Sequence, residues 1–249
     1  MIDLGEVVII GGGCYGSFYA GQLLAARGKG AATWRRLVVV DRDPACQAAP
    51  LLEEVPDAVI AVAEWAEFLD GWLGAERAED DQIVPSPLMP HLMANWIEGQ
   101  ARERWPDREV GMTPAETPVG TPFDRLHPGD GVRYLSWADW LCPVHCIEPA
   151  TCPAIAGPRS WEMSETVAAW TADRTRVTPT AGPAVFACRH VVHGVGMYPA
   201  RAATDGFAAL VEALEQSPKG VDLVIASISS CHGAVGVLRV GPPGNRTTP

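Results

Sequence analysis

The stretch from Glu6 to Asp43 constrains this chain more than any other. It reads E-V-V-I-I-G-G-G-C-Y-G-S-F-Y-A-G-Q-L-L-A-A-R-G, then, past Lys29 and Gly30, A-A-T-W-R-R and L-V-V-V-D-R-D. A short apolar run enters a glycine turn, an amphipathic helical stretch follows, and a second apolar run ends on an acid. That order predicts a βαβ unit of the dinucleotide-binding kind.

Each position of the stretch has a physical task in that reading. Val7 to Ile10 is continuously apolar, as a strand buried on both faces requires. Gly11, Gly13 and Gly16 fill a G-x-G-x-x-G frame. Gly11 makes the tight turn, Gly13 lets backbone approach a pyrophosphate, and Gly16 lets the helix pack close to the strand. The N–H groups around Cys14, Tyr15 and Gly16 then open a helix, where the dipole favours phosphate. Asp41 closes the second strand and is placed to accept hydrogen bonds from a ribose diol. Its charge repels a 2′-phosphate, which favours NAD(H) over NADP(H). Arg42 pulls the other way, because an arginine there can receive that phosphate. FAD is a third occupant that the same fingerprint accepts.

The residues V-V-I-I-G-G-G-C-Y-G, L-V-V-V-D-R-D-P and A-V-I-A-V-A-E-W-A-E-F-L resemble the nucleotide-binding (TrkA-N-type) domains of bacterial potassium-transport regulators. The resemblance covers about the first 90 residues. It implies a Rossmann-like domain that binds NAD, and an acid after the third strand near the adenosine, for which Glu64 is the matching position. Beyond that point the chain departs from the pattern. The ligand-binding domain of those regulators is not recognisable, and the cysteine-rich middle is foreign to them.

Composition excludes some partners. A net charge of −11 argues against nucleic acid or an anionic membrane surface. No apolar run reaches the length of a membrane span, and the N-terminus lacks a basic n-region, so the expectation is a cytoplasmic chain without membrane insertion. In that compartment an odd count of seven cysteines points away from a disulfide framework and toward metal, redox chemistry or burial.

Farther along, strands are expected at Asp57–Ala63, Gln82–Pro85 and Val132–Leu135, and helices at Trp65–Leu73 and His91–Trp105. Pro106 to Gly131 reads as a proline- and glycine-rich loop. Next comes Cys142-Pro-Val-His145-Cys146-Ile-Glu-Pro-Ala-Thr-Cys152-Pro, three thiols and an imidazole in a stiff loop. Thiolates suit zinc or an iron–sulfur cluster. Cys142, Cys146, Cys152 and His145 are the candidate ligands, with Cys188 or Cys231 completing the shell. Cys188-Arg-His190 and Cys231-His232 echo the pattern later on. If the strands preceding these groups are parallel neighbours, all of them face one crevice at the strands' carboxyl ends.

The expected fold is α/β: a doubly wound, mostly parallel Rossmann-like sheet with a Pro/Cys-rich insertion. The expected divisions are a nucleotide-binding half over 1–105, the loop with its cysteine cluster over 106–163, further α/β elements over 164–241 and a flexible tail from 242. The function expected is an NAD(H)-linked oxidoreductase, or a subunit of one, with a Cys/His metal site beside the nucleotide. It would act on a small molecule or a redox protein, alone, as a homo-oligomer or in a larger complex. The rival is a non-catalytic nucleotide sensor or assembly subunit with a structural metal. No catalytic residue is singled out by the sequence.

Overall fold

The computed structural model describes residues 1–87, 89, 91–142 and 146–244. In chain order the elements are β1 (Ile2–Asp3), β2 (Glu6–Ile10), α1 (Cys14–Gly28), β3 (Ala32–Thr33), β4 (Arg36–Asp41), α2 (Ala49–Leu52), β5 (Ala58–Val62), α3 (Trp65–Leu73), β6 (Gln82–Val84) and α4 (Leu92–Arg104). They continue with β7 (Arg108–Thr113), β8 (Phe123–Leu126), β9 (Arg133–Ser136), β10 (Thr151–Cys152), β11 (Gly157–Pro158), α5 (Met163–Thr175) and β12 (Thr180–Ala187). The last elements are β13 (Arg189–Val192), β14 (Val195–Pro199), α6 (Arg201–Gln216), β15 (Val221–Ile228) and β16 (His232–Pro243). Among the described residues no helix is long and apolar enough to cross a membrane.

Two compact units result. The first holds residues up to Leu92, Cys146–Ile147 and Cys188–Arg201; the second holds the remainder. The first unit carries a six-stranded sheet in the order β13-β14-β6-β2-β4-β5. Strands β6, β2, β4 and β5 run parallel, while β14 pairs antiparallel with β6 and β13 antiparallel with β14. Val7, Val8, Ile9, Leu37, Val39 and Val40 are wholly buried, so both central strands lack a wet face. The buried positions of α1 are Gly16, Ala20, Leu23 and Ala26, a three- and four-residue spacing that forms one stripe. The helix ends at Gly28, and Gly30, at φ +68°, returns its N–H to the Arg27 carbonyl at 2.9 Å. Asp81, 1 % exposed, fastens the start of the parallel run: its carboxylate accepts from Glu6 N–H, Ala78 N–H and the Arg35 guanidinium.

The second unit carries another six-stranded sheet. Its path is β12-β15-β16-β9-β8, with β7 also paired to β16. Only β12 and β15 run parallel; every other pairing is antiparallel. Helix α5 packs Met163, Val167 and Trp170 into a core with Leu135, Val224, Ala226, Val235 and Val237. Helix α6 approaches β12 closely: a Cβ at Gly206 would stand 2.7 Å from that of Ala184. The buried Asp222 at the start of β15 accepts from Arg239 twice, at 2.7 and 2.9 Å, and from Arg174 at 2.9 Å.

The expectation of one doubly wound, mostly parallel Rossmann-like sheet is therefore corrected. The chain builds two separate six-stranded sheets, both mixed, and two further two-stranded pairs, β1-β3 and β10-β11. The reason is local. A buried apolar run specifies a strand but not its direction. His193 (φ +47°) and Gly194 (φ +75°) turn the chain back tightly between β13 and β14, so the second of them enters the sheet antiparallel. Three residues, Ser229 to Cys231, do the same between β15 and β16. The stretch from Pro106 to Gly131, read as loop, contains β7 and β8. Strand β16 runs on to Pro243; residues 245–249 of the expected tail lie outside the described residues.

Candidate functional site

The carboxyl ends of β2, β4 and β5 gather most of the residues singled out for a nucleotide. The glycine turn leaves β2 with Gly11 at φ +88°, its N–H donating to the Val40 carbonyl at 2.8 Å. A Cβ at Gly16 would fall 1.7 Å from the Gly11 carbonyl oxygen, so only glycine allows the first turn of α1 to sit against the strand end. Gly13 is the opposite case. It is exposed, and no atom would lie within 4 Å of a Cβ there. As N-cap of α1 it offers no side-chain acceptor, and the first helical turn contains no acid. The N–H groups at the head of α1 thus carry the helix's positive end with no acid in the helix's own first turn to meet it. Cys14 and Tyr15 begin the helix and are exposed, Tyr15 by 42 %.

Asp41 stands under this turn. Its Oδ2 accepts the Gly12 N–H at 2.7 Å and its Oδ1 accepts the Asp43 N–H at 2.9 Å. Arg42 and Glu64 meet beside it, Nη1 to Oε1 3.6 Å, with side chains 77 % and 64 % exposed. Glu64 occupies the N-cap position of α3. The structure thus brings Gly11, Gly13, Cys14, Tyr15, Gly16, Asp41, Arg42 and Glu64 to one end of one sheet.

Three neighbours escaped the sequence reading. The Trp65 ring lies against Gly11, 3.2 Å from where a Cβ would be. The buried Cys46 thiol fills the space beneath Gly12, 2.3 Å from its absent Cβ. Gly12 itself is held on both sides, since its carbonyl accepts the Ala48 N–H at 2.9 Å. Position next to Glu64 is a signal for Trp65; nothing in the linear pattern marks Cys46.

The cysteines are not brought together in this way. Cys146 and Cys188 belong to the first unit, and Cys142, Cys152 and Cys231 to the second. His145 lies outside the described residues. All seven cysteines are free thiols. Among the described residues no three His, Cys, Asp or Glu side chains stand close enough to hold a metal ion. In the first unit Gly196 has no Cβ where the Cys188 sulfur approaches, and the His190 ring stands on the same side. Burial pushes the neighbouring Tyr198 phenol far up, and the Cys188 charge adds to that. The single sheet expected to carry all these groups does not form, because β15 and β16 belong to a different sheet from β2.

In the second unit the turn from β15 to β16 is tightly bonded. Glu148 accepts the Ser229 hydroxyl at 2.6 Å and the Ser230 N–H at 2.7 Å. Trp161 donates its indole N–H to the Cys231 sulfur at 3.3 Å. The His232 Nδ1 stands 2.9 Å from the Ser136 hydroxyl. Cys231 is 7 % exposed, and burial pushes its thiol up; the Trp161 hydrogen bond opposes this, while the Glu148 charge reinforces it. A protonated, buried thiol of this kind is a poor nucleophile.

No curated protein and no solved structure matches the chain. Residues 93–241 match the family described as an uncharacterized-protein C-terminal domain (AF_1314_C), and as that span is more than half of the sequence, the chain belongs to that family.

Proposed function

We propose that the first unit binds NAD(H) at the glycine turn and that the protein is an NAD(H)-linked oxidoreductase or a subunit of one. The observation that carries the reading is the pairing of Gly16, which has no room for a side chain, with Gly13, which faces open space at an uncapped helix start. That combination favours close approach of a pyrophosphate to backbone N–H groups. Gly11 to Gly16 would hold the phosphates, Asp41 would accept from the adenosine ribose, and Arg42 and Glu64 would border it. The likeness of this stretch to nucleotide-binding domains of potassium-transport regulators supports the same assignment. The bound nicotinamide would supply or accept hydride. The chain's own groups bind and orient the nucleotide, and Trp65 shields one side of the turn.

The test is a titration of the full chain with NADH, followed by the quenching of tryptophan fluorescence. Saturable quenching that disappears in Gly13→Asp, with the fold retained by circular dichroism, is the expected result. Oxidation of NADH by the same preparation with an artificial electron acceptor then separates an oxidoreductase from a nucleotide sensor. A folded wild-type chain that gives no saturable response would refute the assignment.

A further inference from the structure

The fixed Asp41 and the loosely held Arg42 divide two tasks that the sequence assigned together. Both oxygens of Asp41 already accept backbone N–H groups, from Gly12 at 2.7 Å and Asp43 at 2.9 Å. The carboxylate keeps lone pairs for a ribose hydroxyl, but it cannot swing aside. Its first effect is to hold the shape of the glycine turn. Arg42 is different. It projects into solvent, and its described partner is Glu64, 3.6 Å away and itself mostly exposed. A pair that long and that wet is held weakly. A 2′-phosphate beside it would meet Asp41, Arg42 and Glu64 together, two negative charges against one positive.

We infer that the charge of Glu64 beside Arg42 sets the choice of nucleotide by offsetting that of Arg42, while Asp41 acts as a positioning residue for the turn. The inference rests on the nucleotide assignment made above. With Glu64 ionised, Arg42 is neutralised and NADH is preferred. With that charge removed, Arg42 is released to a 2′-phosphate and NADPH is accepted.

The experiment is calorimetric titration of the full chain with NADH and with NADPH at low salt, for wild type, Glu64→Gln, Arg42→Gln and Asp41→Asn. Removing one charge a few ångströms from a phosphate at near-aqueous dielectric shifts a dissociation constant by about three- to tenfold, less as salt rises. Glu64→Gln is expected to strengthen NADPH binding relative to NADH by that factor, since a 2′-phosphate carries charge at this place and a 2′-hydroxyl does not. Arg42→Gln is expected to weaken NADPH alone. Asp41→Asn is expected to weaken NADH binding, the signature of a disturbed turn, and NADPH binding by less, because a charge that repels the 2′-phosphate is lost with it. If Glu64→Gln moves both equally or neither, or if Asp41→Asn leaves NADH binding unchanged, the inference is wrong while the binding site stands. If the folded wild type binds neither nucleotide, the assignment beneath it has failed.

Discussion

At the scale of single residues, the glycine turn makes opposite demands on adjacent glycines. Gly16→Ala drives a methyl group into the Gly11 carbonyl, a backbone atom that cannot step aside. The expected loss is about 3 kcal/mol, at the upper end for overpacking a tight site. Gly13→Ala meets nothing within 4 Å and sits in extended backbone, so it is expected to change stability by about 1 kcal/mol or less. Urea denaturation of both variants checks this; equal losses would mean that the helix does not press on the strand end. The titrating groups give a second prediction. Burial raises both the Cys231 thiol and the Tyr198 phenol. The folded chain therefore keeps protons that the unfolded chain releases above about pH 8.5 for a thiol and about pH 10 for a phenol. Their contribution is complete below those values and is lost as pH climbs toward the folded values. Stability should be flat from pH 7 to 8 and fall between pH 9 and 11. The fall should be shallower in Tyr198→Phe; an unchanged slope would show that the phenol is not buried in the folded chain.

Among the elements, β15 and its turn into β16 depend on a residue from a distant loop. Glu148 holds φ +52°, a left-handed conformation uncommon for a residue with a side chain, and its own carbonyl accepts from Arg159 at 2.5 Å. Glu148→Ala removes the acceptor of the Ser230 N–H and leaves the Ser229 hydroxyl only the longer contact to the His232 carbonyl at 3.4 Å, and a loss of about 3 kcal/mol is expected from two charge-assisted hydrogen bonds. Glu148→Gln, which keeps one acceptor oxygen, should lose about half of that. Calorimetric melting distinguishes them; no loss in either would show that the turn stands without the carboxylate. The elements also show what a sequence of this kind exposes to reading. β2, α1 and β4 were legible because an apolar run, a glycine frame and a three- and four-residue stripe agree with one another. β13 and β14 were not, because their buried and half-exposed residues suit either direction and the reversal rests on His193 taking a conformation its type does not announce. β7 and β8 were hidden by prolines and by burial on one side only. That Cys142 and Cys152 fall in one unit and Cys146 in the other was not legible, since closeness in sequence does not decide which core a loop residue joins. The Asp41 to Gly12 hydrogen bond and the Cys46 thiol beneath the turn are tertiary facts without a linear mark.

For the whole molecule, the two units carry separate sheets, and the proposed nucleotide site concerns the first of them. The family match covers residues 93–241, whereas the glycine turn, Asp41, Arg42 and Glu64 all precede that span. Hydrogen–deuterium exchange of the full chain with and without saturating NADH tests the central assignment most directly, because it reports where the ligand is felt as well as whether it binds. At a hundredfold excess over the dissociation constant, linkage stabilises the binding-competent fold by about 2.7 kcal/mol, enough to slow local opening roughly a hundredfold. The account predicts slowed exchange at Gly11 to Ser17 and at Asp41 to Asp43, with β15 and β16 unchanged. Protection confined to the second unit, or none anywhere in a folded chain, would contradict it.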